Sequence, residues 1–228
     1  MQPARQNSPR FVVVEGMDGS GKGTHLPFIE ACLSAGAGKG AAEATGAAGT
    51  RGPSVLVTRE PGGSPLAETL RDLVLTRPMD GLTECLTVFA ARRDHLTQTI
   101  WPALAAGQTV LCDRYLDSSW AYQGAGRGLD PAVLALLSEQ VERGGPGPDL
   151  VIYFDLPAAV AAARRAQRDA GLAQRDRFEQ EDLAFFERVR QGYREAAARR
   201  SPQTVAWIDA SQAPQDIQKQ LSDILVKP

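Results

Sequence analysis

The chain has 228 residues, of which 25 are basic and 27 acidic, for a net charge of −2. This length suits one α/β domain with a well-buried core. The charge balance gives no basic excess of the kind that general nucleic-acid or membrane-surface binding requires, and no stretch is long and apolar enough to span a bilayer. The three cysteines lie in apolar runs without a CxxC pair, which predicts reduced, buried thiols and a cytoplasmic protein.

Short apolar strands alternate with amphipathic helices along the chain. The pattern predicts strands at 11–15, 54–59, 108–113, 150–155 and 204–208. It predicts helices at about 22–34, 66–76, 83–106, 131–143, 158–169, 181–199 and 214–225, the third of them bent near Pro102. Asp130 is expected to cap the helix that begins at Pro131. Five strands joined by helical crossovers predict a single three-layer α/β domain with a parallel sheet flanked by helices.

Two segments depart from this alternation. Residues 1–9 are polar and lack an apolar core like that of a signal peptide, so we expect a flexible tail. Residues 35–53 are rich in Gly and Ala and contain almost no large apolar side chain. Such a segment cannot bury enough surface to offset the entropy lost on ordering, which predicts a disordered insertion.

A glycine-rich loop after the first strand carries the strongest chemical signal. It follows a strand and opens a helix, which is the context of a phosphate-binding loop. Glycines let consecutive backbone N–H groups curl around phosphate oxygens, and the helix N-terminus adds a favourable dipole. Lys22 is placed to reach the β- and γ-phosphates. We therefore predict that ATP binds the loop formed by Gly16, Met17, Asp18, Gly19, Ser20, Gly21, Lys22, Gly23 and Thr24.

The loop departs from the common pattern where a magnesium ligand is expected. Most such loops place Ser or Thr directly after the lysine, and that hydroxyl binds Mg²⁺. Here Gly23 follows Lys22 and the hydroxyl comes one residue later, at Thr24. Two arrangements remain open: coordination by Thr24, or an ion held largely through water. Asp113 is a further candidate, orienting either Arg114 or the waters on the magnesium.

Two more motifs stand at the carboxyl ends of predicted strands. TREPGG occupies 58–63, and DRY at 113–115 is followed by DSSWAYQG at 117–124. Both open into the crevice where an open α/β sheet binds ligands. With the phosphate loop, in this order, they resemble the thymidylate kinases, a family of P-loop nucleoside-monophosphate kinases. The resemblance spans nearly the whole chain and implies a P-loop kinase fold, transfer of the ATP γ-phosphoryl group to dTMP with Mg²⁺, and a homodimer.

The resemblance also implies roles for individual residues. Arg114 would clamp the acceptor phosphate, because a guanidinium matches two phosphate oxygens at once. Asp18 resembles the acid that approaches the deoxyribose 3′-hydroxyl, and Tyr122 stands where a ring disfavours a ribose 2′-hydroxyl. The full acceptor set implied is Asp18, Arg59, Glu60, Pro61, Arg71, Phe89, Arg92, Arg114, Ser118, Ser119, Tyr122 and Gln123.

Recognition of the base departs from the family pattern. The family places an aromatic ring four residues before the arginine that reads the base, so that both lie on one helix face. Counting back from Arg92 gives Val88, and counting back from Arg93 gives Phe89. The spacing to Pro102 favours Arg92, which leaves Phe89 either as a displaced stacking ring or as a core residue. His95, nearby, is expected to be structural or at the surface rather than catalytic.

An arginine-rich segment at about 164–180 follows the fourth strand, where the family places a mobile lid over the donor phosphates. Gly19 stands where some members of the family carry a catalytic arginine, and members with glycine supply that charge from the lid. Since the transition state spreads negative charge over the moving phosphoryl oxygens, an arginine must reach it. We expect Arg168 first, then Arg164 and Arg177, to join Lys22 and Arg114 as catalytic residues. The acids of 176–179 would contact magnesium waters or Arg177.

Three alternatives remain open. A kinase for another nucleotide or for a deoxynucleoside would share the loop, the DR pair and the lid. A nucleotide-dependent switch should carry a guanine-reading NKxD segment, and the sequence has none. A catalytically inactive scaffold is disfavoured by Lys22, Arg114 and the arginines of the lid.

Overall fold

The computed structural model describes residues 11–38, 55–168, 177–178 and 180–225. Its centre is a parallel sheet in the order β2-β3-β1-β4-β5. The strands are β1 (Phe11–Glu15), β2 (Val55–Arg59), β3 (Thr109–Asp113), β4 (Leu150–Asp155) and β5 (Val205–Asp209). The five-stranded parallel sheet predicted from the sequence is therefore confirmed.

Helices connect the strands and flank the sheet. They are α1 (Lys22–Gly38), α2 (Pro65–Thr76), α3 (Gly81–His95), α4 (Trp101–Ala105), α5 (Leu116–Ser119), α6 (Pro131–Glu142), α7 (Ala158–Arg168), α8 (Leu183–Ala198) and α9 (Pro214–Leu225). As expected, Asp130 caps α6, and its Oδ1 accepts a hydrogen bond from the N–H of Ala132 at 2.8 Å. Ser64, Asp80 and Asp182 cap α2, α3 and α8 in the same way.

The core lies on both faces of the central strands. Every residue of β1 is buried, and Val13 is in register with Cys112 of β3 and Val151 of β4. A strand buried on both faces needs apolar side chains at every position, which is why β1 reads FVVV rather than alternating. Each such valine contributes about 1.5–3 kcal/mol when fully buried. This rigid centre carries the loops that follow β1 and β3.

Two helical stretches differ from the predicted pattern. The single bent helix expected at 83–106 is α3 and α4 joined by a π-helical turn, Leu96–Ile100. Pro102 lacks an N–H, and the wider turn carries the chain past it, with the N–H of Trp101 bonded to the carbonyl of Leu96. The helix α5 and the π-helical turn Trp120–Gly126 were not predicted. They are too short and too wide to give a 3.6-residue repeat of apolar side chains.

Parts of the predicted tail, insertion and lid lie outside the described residues. The tail (1–9), residues 39–53 of the insertion, and positions 169–176 and 179 of the lid are in this group. Residues 35–38, assigned to the insertion, instead belong to α1. No helix in the described ranges combines the length and apolarity that crossing a bilayer would need. Cys85 and Cys112 are buried free thiols, as predicted, and Cys32 is half-buried.

Candidate active site

The phosphate loop joins the end of β1 to the first turn of α1. The Nζ of Lys22 lies inside it and donates to the carbonyls of Gly16 at 2.8 Å and Met17 at 3.2 Å. Burial, together with the nearby charge of Arg114, lowers the pKa of Lys22 to about 8. Thr24 is exposed on α1, and its N–H donates to the carbonyl of Gly21. The sequence thus folds into the strand–loop–helix arrangement that phosphate binding requires.

Arg114 occupies the turn after β3, next to this loop. Its φ is +70°, a left-handed conformation that is unfavourable for a residue with a side chain, and its N–H donates to the carbonyl of Val14. The guanidinium donates to Asp18 at 2.8 Å, to the hydroxyl of Tyr193 at 2.7 Å and to that of Ser118 at 3.2 Å. Three parts of the fold therefore fix this arginine at the junction of β1 and β3.

Asp18 links the loop to the adjoining cavity. Burial alone would raise its pKa, but the charges of Arg114 and Lys22 outweigh that effect and hold the pKa of Asp18 well below its usual range. The hydroxyl of Tyr122 lies 3.3 Å from the second carboxylate oxygen. Asp18 is therefore ionised and oriented, with Arg114 on one side and Tyr122 on the other.

An open cavity of about 620 Å³ lies beside the Asp18–Arg114 pair. Ten of the twelve predicted acceptor residues line it, and Arg59 and Phe89 are the two that do not. The lining residues are Asp18, Glu60, Pro61, Arg71, Val74, Leu75, Val88, Arg92, Arg114, Tyr115, Ser118, Ser119, Tyr122, Gln123 and Phe178. The motifs that are separated along the chain thus meet at one cavity.

Arg92 forms the buried polar end of the cavity and is only 1% exposed. Its Nε donates to Glu60 at 2.6 Å, and its two terminal nitrogens donate to the hydroxyl of Ser119 and the carbonyl of Tyr115, both at 3.0 Å. Gln123 is held separately, by a 2.9 Å bond from its Nε2 to Glu84. An unpaired buried ion is costly, so the guanidinium of Arg92 keeps its three partners and is thereby held in one orientation.

Behind Arg92, His95 and Glu60 continue the network. The Nδ1 of His95 lies 3.1 Å from Glu60, and its Nε2 lies 2.7 Å from the hydroxyl of Thr58. His95 is completely buried and does not line the cavity. Its predicted structural role agrees with this position.

The aromatic position is corrected by the structure. Val88 lines the cavity on the same face of α3 as Arg92, whereas Phe89 lies in the core with the guanidinium of Arg92 4.9 Å from its ring centre. One residue turns a helix by about 100°, so Phe89 cannot share the face of Val88. Phe178 instead adds a ring to the cavity wall, in edge-to-face contact with Tyr122 at 5.5 Å.

The two arginines expected near the acceptor phosphate have different positions. Arg71 lines the cavity and donates to the carbonyl of Pro61 at 2.9 Å. Arg59 is 52% exposed and pairs with Glu68 at 2.8 Å, outside the cavity lining. Arg59 does not contact the cavity, and its role in binding stays a prediction.

The predicted lid arginines are spread over distant places. Arg164 donates to the carbonyl of Ala210, beyond β5. Arg177 donates to Glu84 and to the carbonyls of Val74 and Met79, on the acceptor side. Neither reaches the phosphate loop in this arrangement, because each guanidinium is already held elsewhere. Arg168 is exposed at the end of α7, and the acids at 176 and 179 lie outside the described residues.

Sequence reasoning missed several residues of this site, including Glu15, Tyr193 and Arg165, as well as Val74, Leu75, Tyr115 and Phe178 of the cavity wall. Glu15 is buried and accepts bonds from the N–H groups of Tyr115 and Ser118 and from the Ser118 hydroxyl; burial, then the charge of Asp117, raises its pKa to about 7. An acid ending an apolar strand was the available signal. Tyr193, on α8, gave no local signal. Arg165, on α7, stood in the arginine-rich segment, but only the packing of its helix shows that it reaches the loop.

Two polar atoms around the phosphate loop have no hydrogen-bond partner among the described residues. They are Oδ1 of Asp113 and Oγ of Ser20, and both are buried. The described ranges contain no cluster of three or more His, Cys, Asp or Glu side chains that would bind a metal by themselves. A cation here would therefore need ligands from the nucleotide or from water.

Comparison with known proteins agrees with this geometry. A family model described as thymidylate kinase matches residues 14–221. A thymidylate kinase of Verminephrobacter eiseniae is 46% identical over 224 residues, covering 95% of this chain and 90% of that protein, and one of Pseudomonas putida is 44% identical over 218 residues, covering 94% of each. The crystal structure of thymidylate kinase from Ehrlichia chaffeensis superposes with a TM-score of 0.69 at 28% identity, covering 96% of this chain and 99% of that one. The chain belongs to the thymidylate kinase family.

Proposed function

We propose that this protein transfers the γ-phosphoryl group of ATP to dTMP, giving dTDP and ADP. The observation that carries the proposal is the Asp18–Arg114 pair, which joins the loop around Lys22 to a cavity of nucleotide size. A donor bound at the loop and an acceptor bound in the cavity would have their phosphates on either side of that pair. The family relationship supports the same reaction.

The reaction needs positioned charge rather than a protein nucleophile. An oxygen of the acceptor phosphate attacks the γ-phosphorus, the bond to the β–γ bridging oxygen breaks, and ADP leaves with the bonding electrons. Lys22 and the loop amides hold the donor phosphates, and Arg114 holds the acceptor phosphate. Arg168, at the end of α7, is the lid arginine that we assign first to the transferred group, with Arg164 and Arg177 as further candidates.

The cavity lining supports thymine as the base. Arg92 and Gln123 present donors and an acceptor that match the carbonyl and imide edge of a pyrimidine. Val88, Leu75 and Phe178 supply apolar surface for the ring and its methyl group. Asp18 would contact the 3′-hydroxyl of the deoxyribose, in keeping with its ionised state.

Mg²⁺ fits the residues at the loop. Asp113 keeps a buried carboxylate oxygen without a partner among the described residues, and the Thr24 hydroxyl lies one helical position after Gly23. Asp113 would hold the ion through its water shell, with Thr24 as the alternative ligand. When bound, the ion would neutralise charge on the β- and γ-phosphates.

The first experiment measures ADP release with ATP–Mg²⁺ against dTMP, dUMP, the ribose form of TMP, dCMP, dGMP and AMP. We expect dTMP to be preferred. Arg114→Met should lower kcat/KM for dTMP by about 100-fold or more, because it removes a charged contact to the acceptor phosphate and leaves Asp18 without its partner. Arg92→Met should instead lower the ratio of kcat/KM for dTMP to kcat/KM for dCMP.

Two results would contradict the proposal. Turnover mainly with another monophosphate would keep the phosphate chemistry and overturn the thymine assignment. ATP binding without turnover of any acceptor would favour the inactive scaffold or a switch.

We also propose a cytoplasmic homodimer. The free thiols are consistent with a reducing compartment. Apolar side chains exposed on α2 and α3 support association through these helices; they are Leu66, Leu73, Leu82 and Leu86.

A further inference from the structure

Helix α7 lies directly against the phosphate loop. Nη1 of Arg165 donates to the carbonyl of Asp18 at 3.1 Å, and this side chain is only 7% exposed. At the next residue, a Cβ added to Gly19 would collide with the carbonyl of Ala161 and lie 3.1 Å from Cγ of Arg165. Two consecutive loop residues are therefore in contact with one turn of α7.

The hydrogen bond to Asp18 acts on the neighbouring amide. A peptide unit is planar and trans, so its carbonyl and the following N–H point in opposite directions. With the Asp18 carbonyl bound to Arg165, the N–H of Gly19 must point to the other side of the chain. In a phosphate loop the backbone N–H groups are the groups that bind phosphate oxygens.

The guanidinium of Arg165 is itself held in place. It lies 3.7 Å from the ring centre of Phe186 on α8, which fixes its plane. A planar guanidinium with its plane fixed donates in a defined direction, and little rotamer entropy is then lost when the bond to Asp18 forms. α8 thus supports α7, and α7 supports the loop.

We propose that Arg165 is a positioning residue for the donor nucleotide: it orients the Asp18–Gly19 peptide so that the Gly19 N–H faces the donor phosphates. This proposal rests on ATP being the phosphoryl donor, as in the proposed function. Arg165 lies within the segment 164–180, but this role differs from that of an arginine that contacts the transferred phosphoryl group.

The test compares Arg165→Met with Arg165→Lys. Methionine keeps an unbranched apolar stem but removes the guanidinium and with it every donor, whereas lysine keeps the charge and a donor. The matched control is Arg93→Met. Like Arg165, Arg93 donates to backbone carbonyls and lies over an aromatic ring. Its partners are the carbonyls of Val141 and Arg143, at the end of α6, and the ring of Trp101 at 4.9 Å.

Four quantities are measured for each protein: the Kd of ATP–Mg²⁺ without acceptor, by titration calorimetry; KM for ATP; KM for dTMP; and the thermal midpoint. We expect Arg165→Met to raise the Kd and KM for ATP by about 10-fold. This is the effect expected when one hydrogen bond is lost and the Gly19 N–H is no longer oriented toward the phosphates. KM for dTMP should stay within about twofold, and Arg165→Lys should recover most of the ATP affinity. Arg93→Met should lower the thermal midpoint without changing either KM.

Several results would overturn the proposal. An unchanged Kd for ATP in Arg165→Met would do so, as would equal rises in KM for ATP and dTMP, or an equal loss of ATP affinity in the Met and Lys variants. The calorimetric measurement contains no acceptor, so it separates this inference from the proposed function. If wild type binds ATP but does not phosphorylate dTMP, the function fails while the comparison of Kd values still decides the role of Arg165.

Discussion

Buried charges with several partners build this site at the scale of single residues. Arg92 and Glu60 are 1% and 2% exposed, and each has partners on other segments of the chain. Removing one member of such a pair leaves an uncompensated buried ion, which costs about 3–5 kcal/mol. The arginines could be found from the sequence because they stand in motifs. Their partners could not, since Tyr193 reaches Arg114 across 79 positions of the chain.

Glu15 gives a prediction about pH at this scale. Its pKa is raised from an ordinary glutamate value to about 7, first by burial and then by the charge of Asp117. The folded protein therefore retains a proton on Glu15 between about pH 4.5 and 7 that the unfolded chain releases. The stability that Glu15 contributes is full below pH 4.5 and declines as the pH rises through 7.

Glu15→Gln should remove this decline, because glutamine stays neutral at every pH. We expect the free energy of unfolding of the variant, relative to wild type, to increase by about 3 kcal/mol between pH 4.5 and pH 8, following the shift in the pKa. Urea unfolding at a series of pH values measures it. Glu68→Gln is a control of opposite sign, since the N–H of Gly63 lowers the pKa of Glu68. A constant difference between wild type and Glu15→Gln would contradict the prediction.

At the scale of elements, the turn between β2 and α2 holds α3 in place. His95, the last residue of α3, packs against Gly63 and lies within hydrogen-bond distance of Thr58, at the end of β2. The hydroxyl of Thr99, in the π-helical turn, donates to the carbonyl of Gly63 at 2.8 Å. The turn thus fixes both Glu60 and the end of the helix that carries Arg92.

Gly63→Ala should disturb this connection. Gly63 has a φ of +83°, and a Cβ there would collide with Nε2 of His95 and the hydroxyl oxygen of Thr58. Gly107 is a matched control: its φ is +82° and its Cβ would meet nothing within 4 Å. Gly107→Ala should cost about 1 kcal/mol from backbone strain alone. Gly63→Ala should cost at least about 2 kcal/mol more, because buried side chains must move to make room.

Function separates these two alanine variants further. His95 and Arg92 both contact Glu60, so a shift of His95 should also shift Arg92. Gly63→Ala should therefore raise KM for dTMP while leaving KM for ATP unchanged. Chemical unfolding and steady-state kinetics on both variants provide the measurements. Equal losses of stability, or a rise in KM for ATP alone, would show that the turn does not support the acceptor cavity.

Sequence patterns predicted the elements unequally, and the difference has a physical cause. All five strands were located within one residue, since short apolar runs leave few alternatives. For the stretch from Leu116 to Gly126 the sequence predicts a binding motif but no helix. Its helical character depends on contacts with α8, which a local pattern does not contain.

At the scale of the whole molecule, the order of the parallel strands assembles the site. β1 and β3 are neighbours, so the phosphate loop and Arg114 meet although about ninety residues separate them. The motifs predicted which strand ends carry the site, whereas the order of the strands is known only from the structure. The rotation of α7, which directs Arg165 rather than Arg164 to the loop, could not be predicted, because two adjacent arginines give no preference before packing is known.

The outer surface beside β2 gives the last prediction, which concerns association. β2 is an edge strand, and the helices that follow it expose four leucines that are between 42% and 53% accessible. Such a patch on a water-exposed helix pair favours a self-complementary contact with a second copy of the chain.

Light scattering after size-exclusion chromatography should therefore give twice the mass of one chain at micromolar concentration. The double variant Leu73→Glu, Leu86→Glu should give the mass of a single chain, because two carboxylates per subunit would be buried without partners. Val160→Glu, at an exposed position of α7, is the control and should leave the dimer intact. A monomeric wild type, or a double variant that remains dimeric, would rule out this surface as the interface.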